Sequence, residues 1–303
     1  MCIKNYLYCS AIIFCLVSCV GAKKMDKVTV KLKDMQSQQA LEDNKVSSIA
    51  SVGESKLADR KIDSNINKRL NDRLSSMKQD LDSVNKEIAN LQSLSSDVKT
   101  FRKSYKKDIL PKLEQLDLYK KNYNDRLKIY MMMEEGLNLA NYTPFDLAAF
   151  FGPGLYSIPY DQEEIAVRSF SPMVDSVMNF SHRYENTPRT ATLVILGYAD
   201  GQDINPDKPL YNTLTTMLNR TDISKEQLNT MLSQLRAIEL IKHLTNIFNK
   251  KVPPTTDLNG LKIEYIGQGK GEEYPNPAIK DYKEDDERRR IVLCYWIVLP
   301  DVK

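Results

Sequence analysis

The side chains in this sequence that are placed for chemistry suit gripping a charged ligand better than breaking a bond. Asp200 follows the apolar run TATLVILGY, 190–198. Arg236 lies in a helical segment, 224–249, where Asn229, Ser233 and Arg236 are spaced by four and three and so share one stripe. That stripe is offset from Leu228, Leu232 and Leu235, which places the polar groups along a groove and the leucines in the core. A carboxylate takes an ammonium, and a planar guanidinium takes a carboxylate through paired hydrogen bonds. Taken singly, Asp200 is also explained as a turn or capping residue and Arg236 as a surface salt-bridge former. Arg289 and Arg290, in the run Arg288-Arg289-Arg290, either contact a ligand or brace the fold by pairing with Asp285, Asp286 or Glu287.

Catalysis is not expected. The two histidines, His182 and His243, lie in no Ser-His-Asp or Cys-His pattern. The acidic pairs Glu163-Glu164 and Glu272-Glu273 are adjacent in sequence, which by itself gives no glycosidase geometry. Four of the five cysteines lie in the first twenty residues and Cys294 stands alone, so no set of about four zinc ligands forms. No metal and no cofactor are expected. A net charge of only +3 argues against nucleic acid as a partner.

The elements that position these groups follow from composition and spacing. The chain has 303 residues, enough for one or two modest domains plus extended material. Lys4 and the apolar stretch 6–17 read as a signal sequence over 1–18. It ends in Leu16-Val17-Ser18-Cys19, which resembles a bacterial lipobox. The resemblance implies that the Cys19 thiol carries a diacylglyceryl group and that the new amine is acylated, palmitate being a typical chain. Two or three acyl chains hold a membrane stably, where one is marginal. Residues 19–60 are polar and mixed in charge and read as a flexible tether.

From 61 to 135 the pattern is helical. Leu74, Met77, Leu81, Val84, Ile88 and Leu91 alternate steps of three and four, Ile66 and Leu70 extend the stripe upstream, and Val98 continues it past Ser95. Pro111 is expected to kink or break the helix. One straight helix over 62–109 spans roughly 70 Å, the scale of a spacer. The stripe is buried either by the chain folding back at Pro111 or by another copy or an envelope protein. Residues 136–154 form a junction ending in Phe151-Gly152-Pro153-Gly154. Residues 155–303 read as β-α-β-α-β-β: LYSIPY (155–160), a helix over 169–185, TATLVILGY, a helix over 224–249 begun by a Ser224–Gln227 capping box, LKIEYIG (261–267), and IVLCYWIVLP (291–300). The fold class is α+β, a sandwich preceded by a long helical coiled-coil region.

Within this domain, Gly197-Tyr198-Ala199-Asp200, then Leu228-Asn229-x-x-Leu232-Ser233-x-x-Arg236-Ala237, then Gly269-Lys270-Gly271-Glu272-Glu273-Tyr274-Pro275, then Arg288-Arg289-Arg290 occur in order. The sequence resembles the OmpA-like family of peptidoglycan-binding domains in these four places. The resemblance covers 155–300. It implies that Asp200 and Arg236 grip the diaminopimelate of the peptidoglycan stem peptide, with Asn229, Ser233, Arg289 and Arg290 as further contacts. Together with Cys19 it implies a lipoprotein of the cell outer membrane whose C-terminal domain binds peptidoglycan in the periplasm. The alternative is a structural accessory lipoprotein of an envelope-spanning machine, engaging proteins through the stalk and an insertion. That insertion is the main departure. Asp200 and Arg236 are farther apart than in the family, and the excess lies at 201–223, with an extra helix expected at 208–219. Ala199 stands for the family's Thr, and Glu287-Arg288 replace its Asn before the arginine pair.

Overall fold

The computed structural model describes residues 4–140, 142–145, 154–220, 222–251 and 260–301. Phe151, Gly152 and Pro153 of the expected junction lie outside these, as does the Cys19 side chain. The chain is mixed α+β and divides into two compact units, one of Met1–Ser51 with Asn71–Met131, the other of Val52–Leu70 with Met132–Asp301.

The first unit is helical. It draws on α1 (Lys4–Ala58), α2 (Ser64–Leu94), α3 (Val98–Ser104), α4 (Leu110–Lys121) and α5 (Tyr123–Leu139). The expected tether is therefore helix to Ala58. Its buried positions Val28, Leu32, Met35, Gln39, Glu42, Val46 and Ile49 step by four and three. This is a heptad seam with two polar residues in its centre. Glu42 is fully buried, and Arg126 of α5 meets it in a bidentate pair at 2.8 Å, with the Tyr130 hydroxyl on the same carboxylate at 3.2 Å. Burial and that carboxylate push the Tyr130 phenol up.

The expected stripe on α2 is buried from Ile66 to Leu91, with Val84 partly so. Its break comes earlier than expected. α2 ends at Leu94, and Asp97 caps α3 by accepting from the backbone N–H groups of Lys99 and Thr100, each at 2.9 Å. Pro111 breaks nothing. A π-helical turn, Tyr105–Ile109, precedes it, and Pro111 sits in the first turn of α4, where its missing N–H costs little. Val28, Leu32 and Met35 of α1 join Ile88 and Leu91 of α2, Phe101 of α3, and Leu113 and Leu116 of α4 in one core. The stripe is thus closed by the same chain, and no straight helix spans 62–109.

The second unit is built on a four-stranded sheet of order β1-β4-β2-β3. The strands are β1 (Tyr142–Phe145), β2 (Arg189–Gly197), β3 (Leu261–Gly269) and β4 (Val292–Pro300). β2 pairs parallel with β3 and antiparallel with β4. LYSIPY is not the first strand. That place belongs to β1, an edge strand where Pro144 is tolerated. Pro159, at φ −59° and ψ 148°, instead leads into a 3-10 turn, Tyr160–Gln162, and α6, Glu163–Arg183.

Ala191, Leu193 and Ile195 of β2 and Val292, Cys294, Trp296 and Val298 of β4 face α6 and α8 (Lys225–Lys251). The opposite-facing Val194, Leu196, Ile297 and Leu299 are buried too. The segment Val52–Leu70 belongs to this unit and lies on that side, where Arg69 bonds Glu264 at 2.5 Å. The end of α5 also belongs to it and packs beside α6 and β4: Met132 joins the core, and Gly136 approaches the Val298 carbonyl and the Phe180 ring. Cover on both faces explains why β2 and β4 read as unbroken apolar runs. Cys294 is fully buried, which pushes its thiol up and leaves it inert.

Candidate functional site

The expected site residues gather where β2 and β3 end, because α8 crosses there at very short range. Gly197 and Gly269 are register partners. A Cβ on Gly197 would stand 2.0 Å from the Ser233 carbonyl oxygen, and one on Gly269 would stand 2.4 Å from that of Thr230. Two glycines side by side therefore let the first half of α8 lie on the strand ends. Its start is set by the capping box. The Ser224 N–H donates to Gln227 Oε1 at 3.0 Å, and the Gln227 N–H donates to Ser224 Oγ at 3.2 Å.

The two stripes of α8 divide differently from the expected groove and core. Leu228, Leu232 and Leu235 do not enter the sheet core. They form a second cluster with Leu214, Leu210 and Ile204 of the insertion, whose helix α7 spans Pro209–Leu218. The sheet side of α8 is Ala237, Leu240, Leu244, Ile247 and Phe248. The polar stripe turns toward the strand ends, where Asn229, Ser233 and Arg236 are each at most 1% exposed.

Each of the three has a defined task there. Ser233 Oγ accepts the Gly271 N–H at 2.8 Å, which pins a glycine at φ +56° that begins the long loop before β4. Asn229 Nδ2 donates to the Gln202 carbonyl at 3.2 Å and to Glu272 Oε1 at 2.8 Å, joining the insertion to that loop. Arg236 donates from Nη1 to the Tyr198 carbonyl at 2.9 Å and from Nε to the Leu155 carbonyl at 3.2 Å. Burial pushes its guanidinium down to about 10, against the pull of neighbouring Asp200 and together with Arg290, so it stays charged near neutral pH.

Asp200 is 6% exposed, and its Oδ2 accepts from Arg290 Nε at 2.6 Å. One carboxylate thus sits beside two guanidiniums, those of Arg290 and Arg236. Arg290 also donates to the Asp285 carbonyl at 3.3 Å and lies 3.7 Å from Glu287. Arg289 donates to the carbonyls of Glu272, Lys283 and Glu284 and lies 5.0 Å from the Tyr274 ring. Arg288 pairs with Asp286 and Asp281. Arg289 and Arg290 therefore both brace the loop 270–290.

A cavity of about 590 Å³ opens beside this cluster. Asp200, Asn229 and Leu232 line one side, and Gln202, Asn205 and Lys208 of the insertion line another. The structure thus brings Asp200 and Asn229, both largely buried, to the wall of that cavity, Arg236 and Arg290 beside Asp200, and Ser233 and Arg289 to the supporting loop. Gln202, Glu272 and Lys208 escaped the sequence reading. Glu272 stands in the sequence in an acidic pair and in the third motif, neither of which assigns it a contact, and Lys208 is only an insertion residue before Pro209. Among the described residues no group of three or more His, Cys, Asp or Glu is placed to hold a metal.

No family model and no curated protein matches the chain. Among solved structures it is similar to a MotB-like protein from Desulfovibrio vulgaris, at 13% identity, over 52% of this chain and 74% of that one, with a TM-score of 0.30.

Proposed function

We propose that residues 155–303 form an OmpA-like domain that binds peptidoglycan non-covalently through the stem-peptide diaminopimelate. The supporting observation is the cavity at the strand ends, lined by Asp200 and Asn229, the residues that the motif order picks out. Diaminopimelate presents an ammonium and a carboxylate on one carbon at the end of an aliphatic chain. Arg290 takes Oδ2 of Asp200, so Oδ1 is left for a ligand ammonium. Arg236 acts from behind, fixing the Tyr198 carbonyl and hence the strand end that carries Asp200. The protein is a binder and not an enzyme in this reading, and it uses no cofactor.

The same proposal places the chain in the outer membrane, lipid-anchored at Cys19, with the domain in the periplasm. Among the described residues no helix is long and apolar enough to cross a membrane; an acyl anchor needs none. Growth with labelled palmitate tests this half. Label enters the wild type, and Cys19→Ala abolishes incorporation. Undiminished label in that variant removes the anchor from the account.

Hydrogen exchange with a soluble diaminopimelate muropeptide tests the other half. Slowed exchange is expected in 198–210 and in the first turns of α8, with α6 unchanged. Slowing confined to the helical unit favours the accessory-protein alternative.

A further inference from the structure

The insertion 201–223 has no counterpart in the motif order, yet it builds much of the cavity wall. We propose that Lys208 is the carboxylate-binding residue of this site, and that it reads the zwitterionic end of the ligand together with Asp200. The inference rests on the wall-binding reading above.

Three observations carry it. First, Arg236 is committed to the carbonyls of Tyr198 and Leu155 and is not among the residues lining the cavity, whereas Lys208 is. Second, the Lys208 ammonium has no carboxylate partner among the described residues. The neighbouring lining acid, Asp203, lies 3.6 Å from Lys225 instead. Third, the backbone of Lys208 is fixed while its side chain is exposed. Its N–H donates to the Asn205 carbonyl at 3.0 Å, the Asn205 side chain accepts the Asp207 N–H at 2.8 Å, and its own carbonyl accepts the Tyr211 N–H at 3.0 Å as α7 begins. Leu210 and Leu214 then hold that helix on α8.

The cavity therefore offers an anion, Asp200, and a cation, Lys208, with Leu155, Ile204, Leu210 and Leu232 as apolar lining. That set matches an α-amino-acid head group on an aliphatic chain. The ammonium faces Asp200, the carboxylate faces Lys208, and the methylenes lie on the leucines. A stem peptide with lysine at this position offers the ammonium alone. Lys208 thus supplies the discrimination between the two wall chemistries.

Titration of the full-length protein with soluble diaminopimelate-type and lysine-type stem tripeptide muropeptides tests this. The wild type is expected to bind the diaminopimelate form at least tenfold more tightly. Lys208→Gln lowers that affinity about tenfold, leaves the lysine form unchanged, and so erases the preference. Lys250→Gln removes an equal charge from the far end of α8 and changes neither. An unchanged preference in Lys208→Gln, while Asp200→Asn loses both ligands, overturns the role of Lys208 and leaves the wall-binding reading standing. Full binding of both ligands by Asp200→Asn overturns that reading as well.

Discussion

Gly197→Ala is expected to destabilise the sheet-containing unit by about 3 kcal/mol or more, the upper end of overpacking costs. The reason is which atom the new methyl meets. At 2.0 Å from the Ser233 carbonyl oxygen and 3.3 Å from the Ala237 nitrogen, it strikes helix backbone. Helix α8 must then lift from the strand end and loosen the Gly271 contact of Ser233 and the strand-end bonds of Arg236. Gly267→Ala, on the neighbouring strand β3 and the same face of the sheet, is the control. Its methyl would meet the Ile241 Cδ1 atom at 2.8 Å, the free end of a side chain that can turn away. In thermal unfolding the first variant falls by roughly 6–12 °C, and the second moves by a few degrees at most. Equal shifts would mean that the close crossing of α8 does not set the site.

Asp200→Ala is expected to cost about 3–5 kcal/mol, because it leaves the buried Arg290 guanidinium with only the exposed Glu287 carboxylate, at 3.7 Å, as an ionic partner. Both side chains are under a tenth exposed, so solvent does little to compensate. Replacing the pair together, Asp200→Ala with Arg290→Met, removes one of the two guanidiniums that Asp200 faces and restores part of the stability, since a buried ion pair and a packed apolar pair are often similar in free energy; Arg236 stays behind on its carbonyl bonds. Denaturant titration of the three proteins gives the comparison. A double variant as unstable as the single one would mean that Asp200 stabilises the fold through contacts other than Arg290. An Asp200→Ala protein that fails to bind the wall is therefore uninformative by itself, and Asp200→Asn, which keeps an acceptor for Arg290, is the better probe.

The most periodic parts of the sequence were legible. The α8 capping box, the runs of β2 and β4, the stripe from Ile66 to Leu91 and the extra helix in the insertion all stand where spacing put them. What escaped did so for physical reasons. The seam of α1 has the right steps, but Gln39 and Glu42 occupy two of its places, and only the approach of Arg126 and Tyr130 makes Glu42 tolerable there. Pro111 looked like a breaker because a proline costs a hydrogen bond inside a regular helix. The π turn before it and its place in the first turn of α4 remove that cost. The leucines of α8 announced burial without saying against what, and their partner is the insertion.

The site was legible as a set of residues and not as a division of labour. Spacing placed Asn229, Ser233 and Arg236 on one stripe, but a groove-lining stripe and a stripe bonded to loop backbone have the same spacing. Gly197, Gly269 and Gly271 were the signal that backbone would come close, and buried donors such as Arg236 then go to carbonyls. Asp200 kept an open side because the insertion stands off it and encloses a cavity.

Co-sedimentation of the full-length protein with purified diaminopimelate-type peptidoglycan, wild type beside Asp200→Asn, bears most directly on the whole account. The wild type should pellet with the wall in a saturable manner. Asp200→Asn, with an unchanged circular-dichroism spectrum, should pellet at least tenfold less. Equal sedimentation of the two, or none by the wild type, would contradict it.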